Sequence, residues 1–191
     1  MEKAYTLDKT FERVDYTTSF LPKGEYENCN FLNCNFAESD LSKITFIDCT
    51  FNNCNMSTAN VNSTSFQETQ FTNCKLMGLH FDHCNPFLLS VRFTNCSLNM
   101  ATFYQCKLQK TIFSHCNLQE ADCTEADFSN AIFQQCNLMH AVFDRTNLEK
   151  TDLRTAVNFS IDPERNKLKK AKFSAAALSG LLQKYDLIIE Y

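Results

Sequence analysis

The chain has 191 residues and a formal net charge of -4, with eighteen phenylalanines, eleven cysteines, three glycines, three prolines and no tryptophan. That length allows one domain or an array of smaller units, and so many phenylalanines among so few glycines favour an array that reuses one position. The mildly acidic balance argues against a general nucleic-acid binder, and no stretch approaches the roughly 20 apolar residues of a membrane helix.

The N-terminal lead-in, residues 1–10, lacks the apolar run of a secretory signal. The expected location is cytoplasmic, where thiols stay reduced, so the cysteines read as free and not as a disulfide framework. From residue 11 to about 158 one rule takes over. Steps of five from Phe31 reach Phe36, Leu41, Phe46, Phe51, Met56, Val61, Phe66, Phe71, Leu76 and Phe81, and more weakly backwards Tyr26, Leu21, Tyr16 and Phe11. Two residues before each centre stands a small residue, as at Cys29, Cys34, Ser39, Cys49, Cys54, Ala59 and Thr64, with Ile44 an exception. Residues two apart in an extended segment share a face, so both point inward and the residue between them points out. A period of five suits neither a helix nor a plain strand, so every unit ends in a bend. A chain that bends this often and always buries the same two positions is an all-β solenoid with coils about 4.8 Å apart.

FDHCNPFLLSVRF, residues 81–93, slips the register by two residues and contains Pro86, which removes a donor from the ladder. A bulge or kink dividing the solenoid is expected there, with Phe87, Leu88 and Leu89 as an apolar tip. The register resumes at Phe93 and continues through Phe103, Phe113, Cys123, Phe128, Phe133 and Phe143 to Leu153. Identical inward residues recur 20 apart, at Phe31, Phe51 and Phe71 and at Cys96, Cys116 and Cys136, a spacing that four units per coil would turn into columns. Cysteine at the small position reads as packing between phenylalanine layers. Outward asparagines such as Asn33, Asn53 and Asn73 suit the bends.

Residues 159–191 change character. After Pro163 and a basic stretch from Arg165 to Lys172, Ser174 is placed to cap an α-helix reaching Tyr185, with Leu178, Leu181, Leu182 and Tyr185 on one stripe. Such a helix would cover the unpaired last coil, while Leu187 to Ile189 would add an edge strand or meet a second chain.

No glycine-rich phosphate loop, G-x-S-x-G or H-E-x-x-H occurs. His80, His83, His115 and His140 fall at outward positions and read as solvated surface, so no catalytic residue, cofactor or metal ligand is expected. A rod with few long loops also offers little room for an active site, and the expectation is a non-enzyme.

The run of small, polar, Phe or Leu, polar, polar units resembles the pentapeptide-repeat family across roughly residues 11–158. The resemblance implies a right-handed quadrilateral β-helix with four units per coil and a rod on the order of 35 Å long. It also implies a C-terminal segment that joins two rods end to end, with Leu178, Leu181, Leu182, Tyr185, Leu187 and Ile189 as the dimer or cap residues of a homodimer. Members of the quinolone-resistance type are rods that imitate duplex DNA, bind DNA gyrase and topoisomerase IV, and protect these type II topoisomerases from quinolones. On that likeness the acidic group Glu120, Asp122, Glu125 and Asp127 is the candidate partner-binding site, with no direct nucleic-acid or membrane contact. Further acids cluster at Glu25, Glu27, Glu38, Asp40 and Asp48. Coils of 20 residues would set Glu125 against Arg145 and Asp127 against Lys107, pairing charges between rungs. The long loops of many quinolone-resistance relatives are missing. The alternative is a structural or scaffolding module with another protein partner.

Overall fold

The bend that a five-residue period demands is a single left-handed residue, two positions after each inward centre. Asn33, Glu38, Lys43 and Asp48 have φ of 55°, 57°, 61° and 50°, one at each corner of a single coil. Left-handed backbone costs a non-glycine residue roughly 1–2 kcal/mol, and asparagine least among them. The corner N–H groups offset this by bonding across coils: Asn33 N–H donates to the Asn52 carbonyl at 2.9 Å and Asp48 N–H to that of Gln67 at 3.0 Å.

The computed structural model describes residues 4–190. Four units close each coil. One side is a seven-stranded parallel sheet of β2 (Thr10–Glu12), β4 (Asn30–Leu32), β6 (Thr50–Asn52), β8 (Thr69–Thr72), β9 (Val91–Thr94), β10 (Ile112–Ser114) and β11 (Ile132–Gln134). A second side is a four-stranded parallel sheet of β1 (Ala4–Leu7), β3 (Gly24–Glu27), β5 (Thr45–Ile47) and β7 (Ser65–Gln67). The remaining sides are ladders of single bridges, such as Asn35 to Asn55 to Lys75 and Thr102 to Asp122 to Val142.

Inside, Phe11, Phe31, Phe51, Phe71, Phe93, Phe113 and Phe133 form one stack, with ring centroids between 4.6 and 5.4 Å apart. Thiols and hydroxyls at the small position do more than fill space. Cys54, Cys74 and Cys96 each donate to the carbonyl of a centre on the preceding coil, those of Phe31, Phe51 and Phe71, at 3.3 to 3.4 Å. Thr64 and Thr151 make the same bond to Leu41 and Phe128 at 2.8 Å.

The slip does not divide the rod. β8 pairs with β9 from Thr69 and Val91 onward, an offset of 22 where the other rungs have 20, and the phenylalanine stack runs through. The two extra residues are absorbed on the neighbouring side, where the four-stranded sheet ends at β7 and Asn85 bonds the Ser65 hydroxyl at 2.9 Å. Phe87 and Leu88 project there, 67% and 59% exposed.

Both ends of the helix differ from the sequence reading. Ala4–Leu7 of the lead-in is already β1, paired with Gly24–Glu27; Met1 to Lys3 lie outside the described residues. Polar Thr6 opposite Tyr26 hides that rung from a search for apolar centres. At the other end the ladder continues past residue 158 through Asn147 to Lys167 and Asp152 to Lys172. Asn158 and Pro163 stand where the five-residue step expects centres but are exposed, Asn158 at a left-handed corner, and Phe159 and Ile161 are buried in their place, which breaks the register. The cap forms where expected, but as 3₁₀ helix over Ala175–Leu181 and Gln183–Tyr185 instead of α-helix. Ser174 makes no side-chain capping bond, and the Gly180 carbonyl accepts from Ile161 N–H at 2.9 Å, which ties the segment to the last coil. Leu187, Ile188 and Ile189 form no strand.

Candidate functional site

All eleven cysteines are free and buried. Burial pushes the Cys49 and Cys106 thiols up to about 12 and raises those of Cys34, Cys84 and Cys123 as well. Protonated, enclosed thiols are poor nucleophiles. Surface depressions are shallow; one beside the slip, lined by Glu68, Gln70, Ser90, Arg92, Gln109 and Lys110, holds about 320 Å³. Among the described residues no helix is long and apolar enough to cross a membrane.

Glu120, Asp122, Glu125 and Asp127 all lie on one coil, wrapped around two of its corners. They form a belt and not a column, and each is engaged locally. Glu125 pairs with Arg145 at 2.8 Å as the spacing suggested, and accepts from Gln105 at 2.7 Å. Asp127 lies in ladder with Lys107, but its bonds come from Gln109 at 2.7 Å and Asn147 at 2.9 Å, so the expected ion pair is replaced by amide donors. Burial pushes the Asp127 carboxyl up, yet the Ser129 N–H and the Gln109 amide outweigh it and hold the group below its ordinary value. Asp122 accepts from Thr124 N–H at 2.9 Å and Glu120 from Gln119 at 3.0 Å.

A second acidic surface is assembled by the register. On the outer face and corner of the four-stranded sheet, Glu25 and Glu27 of β3 lie beside the corner residues Asp8, Asp48 and Glu68. Among the described residues none of these five forms an ion pair; Asp8, Glu27 and Glu68 accept from the neutral groups of Asn28, Tyr5 and Ser90 at 2.6 to 2.8 Å. Five carboxylates over three rung spacings amount to about one per 3 Å, against about one per 1.7 Å in duplex DNA. The same corner reverses sign at the slip: Asp8, Asn28, Asp48 and Glu68 are followed by Leu88, Lys110, Asn130, Lys150 and Lys170, every one left-handed. In sequence these residues stand too far apart to read as one edge.

The structure also gathers a group the sequence left dispersed. A 3₁₀ turn at Phe81–His83 brings His80, Asp82 and His83 together at the mouth of the slip, whereas His115 and His140 stay apart from them on the surface.

At the C-terminal end Leu181 packs on the core, while Leu178, Tyr185, Leu187, Ile188 and Ile189 are exposed. Lys184 clamps the segment to the last coil through Asp162 at 2.8 Å and Glu164 at 2.7 Å.

Parallel ladders on four sides around a core of inward aromatic stacks define a protein of the four-sided β-solenoid class. The chain belongs to the pentapeptide-repeat family: the model of the pentapeptide repeat region matches residues 24–103 and 87–156. Two trypsin-treated variant structures of QnrB1, a plasmid-mediated fluoroquinolone resistance protein, share its fold at 19% identity. They superpose with TM-scores of 0.62 and 0.63, covering 98% and 100% of this chain and the same shares of theirs. No curated protein sequence matches the chain.

Proposed function

We propose that this protein is a non-enzymatic, cytoplasmic rod that binds the DNA-binding surface of a type II topoisomerase, DNA gyrase or topoisomerase IV, and protects it from quinolones. The observation that carries the reading is the acidic face of Asp8, Glu25, Glu27, Asp48 and Glu68, without ion pairs among the described residues, on a rod of the QnrB1 fold. Carboxylates on a rigid ladder at fixed spacing offer a basic groove part of what a DNA backbone offers, without ordering cost at the moment of binding. Residues 1–90 hold eleven acidic and six basic groups and residues 91–191 eleven and twelve, so the field is concentrated in the N-terminal half. On this reading the belt at Glu120 to Asp127 contributes less, because Arg145 and side-chain amide donors already meet three of its four members.

The exposed Leu187, Ile188 and Ile189, which follow the clamped cap, support a homodimer joined through the C-terminal ends. A scaffolding role with a different protein partner is favoured instead by the near-neutral C-terminal half. Supercoiling by gyrase in the presence of a fluoroquinolone separates the two. The topoisomerase reading expects rescue by the wild-type chain and its loss when Glu25, Glu27, Asp48 and Glu68 become amides; a scaffold for another partner leaves the reaction untouched.

A further inference from the structure

We propose that His80, Asp82 and His83 form a binding site for a divalent transition metal such as Zn²⁺. His80 precedes the 3₁₀ turn and His83 ends it. Three residues per turn eclipse positions i and i+3, and the two imidazoles accordingly stack 4.7 Å apart and 11° from parallel. Asp82 lies between them, its side chain 17% exposed against 52% and 51% for the histidines.

The two ring nitrogens face different oxygens of one carboxylate. His80 Nδ1 lies 3.2 Å from Asp82 Oδ1 and His83 Nε2 lies 3.5 Å from Oδ2, and one ligand atom from each residue falls within 4.8 Å of the others. Tetrahedral zinc with bonds of about 2.0–2.1 Å separates neighbouring ligand atoms by about 3.3 Å, which the two nitrogen–oxygen distances bracket. Two imidazoles and a carboxylate leave a fourth position for water, the donor set that borderline metals prefer over Mg²⁺ or Ca²⁺. The backbone carrying them is fixed on both rungs: the His83 carbonyl accepts from Ser63 N–H at 2.8 Å, and Phe81 N–H donates to Thr102 at 2.9 Å. The backbone ladder is rigid, so closing on an ion takes only side-chain rotation: the two stacked, nearly parallel rings turn so that their in-plane lone pairs converge. The ion would tie both ends of the turn that leads into the slip.

The test is calorimetric titration of the untagged chain with Zn²⁺, followed by Co²⁺ titration read by visible absorption. The proposal expects one equivalent per chain and the intense d–d bands of a four-coordinate site. The double change His80→Asn and His83→Asn weakens Zn²⁺ binding at least tenfold, Asp82→Asn also weakens it, and His115→Asn with His140→Asn leaves it unchanged. Because the turn could fail to form in a variant, the wild-type chain supplies a second readout: Zn²⁺ protects His80 and His83 from diethyl pyrocarbonate, and leaves His115 and His140 reactive. Absence of saturable binding up to millimolar Zn²⁺, binding that survives in the folded double variant, or equal modification of all four histidines overturns the site.

Discussion

Cysteine and threonine at the small inward position bring a donor, and Cys54, Cys74, Cys96, Thr64 and Thr151 use it to reach a carbonyl of the preceding coil. Thr151→Val keeps the volume and deletes the bond to Phe128; the expected loss is about 1 kcal/mol in urea unfolding, with Thr151→Cys milder. A loss indistinguishable from zero would reduce the position to packing alone. The thiols also set a pH limit. Burial raises Cys49 and Cys106 to about 12 from 9.0, so above pH 9 the unfolded chain releases protons that the native chain keeps. Their contribution is complete below pH 9 and is lost as pH rises toward 12, at up to about 1.4 kcal/mol per pH unit for each thiol. Buried Tyr26, also raised to about 12, acts in the same direction. Denaturation midpoints measured from pH 8 to 11 should therefore fall, and native thiols should react with Ellman's reagent only as fast as the chain opens.

At the scale of the element, the phenylalanine stack runs unbroken from Phe11 to Phe133 and joins seven coils. Phe51→Ala, in its middle, should cost about 3–5 kcal/mol. The cap depends on one close approach: a Cβ on Gly180 would stand 2.5 Å from the Phe159 carbonyl oxygen and 2.6 Å from its ring. Gly180→Ala should therefore lift the 3₁₀ segment and destabilise the chain by about 1–3 kcal/mol, with faster hydrogen exchange at the Ile161 amide. Between Phe11 and Leu153 the fold was legible because inward positions repeat every five residues regardless of partner. A polar centre such as Thr6 leaves no apolar trace of its rung, and beyond Leu153 the buried residues shift to Phe159 and Ile161, off the five-residue step. His80 and His83 escaped for another reason: the slip replaces an extended unit by a 3₁₀ turn, and only that geometry stacks their rings.

Across the whole molecule, a coil of 20 residues makes surface charge a property of columns. Acids adjacent in sequence, such as Glu120 and Asp122, meet other residue types above and below, whereas Asp8, Asp48 and Glu68 share one edge although far apart in the chain. Self-association belongs to this scale too. Sedimentation equilibrium at micromolar protein should give a dimer, and Leu187→Asp with Ile188→Asp should give a monomer that keeps its cap, since neither side chain contributes to the core. The most direct measurement is supercoiling by DNA gyrase with ciprofloxacin, comparing wild type with the folded Glu25→Gln, Glu27→Gln, Asp48→Asn, Glu68→Gln variant. Rescue by wild type and at least tenfold weaker rescue by the variant is the predicted result. Equal rescue by both, or none by wild type at micromolar concentration, would contradict an acidic face that competes for the DNA-binding surface.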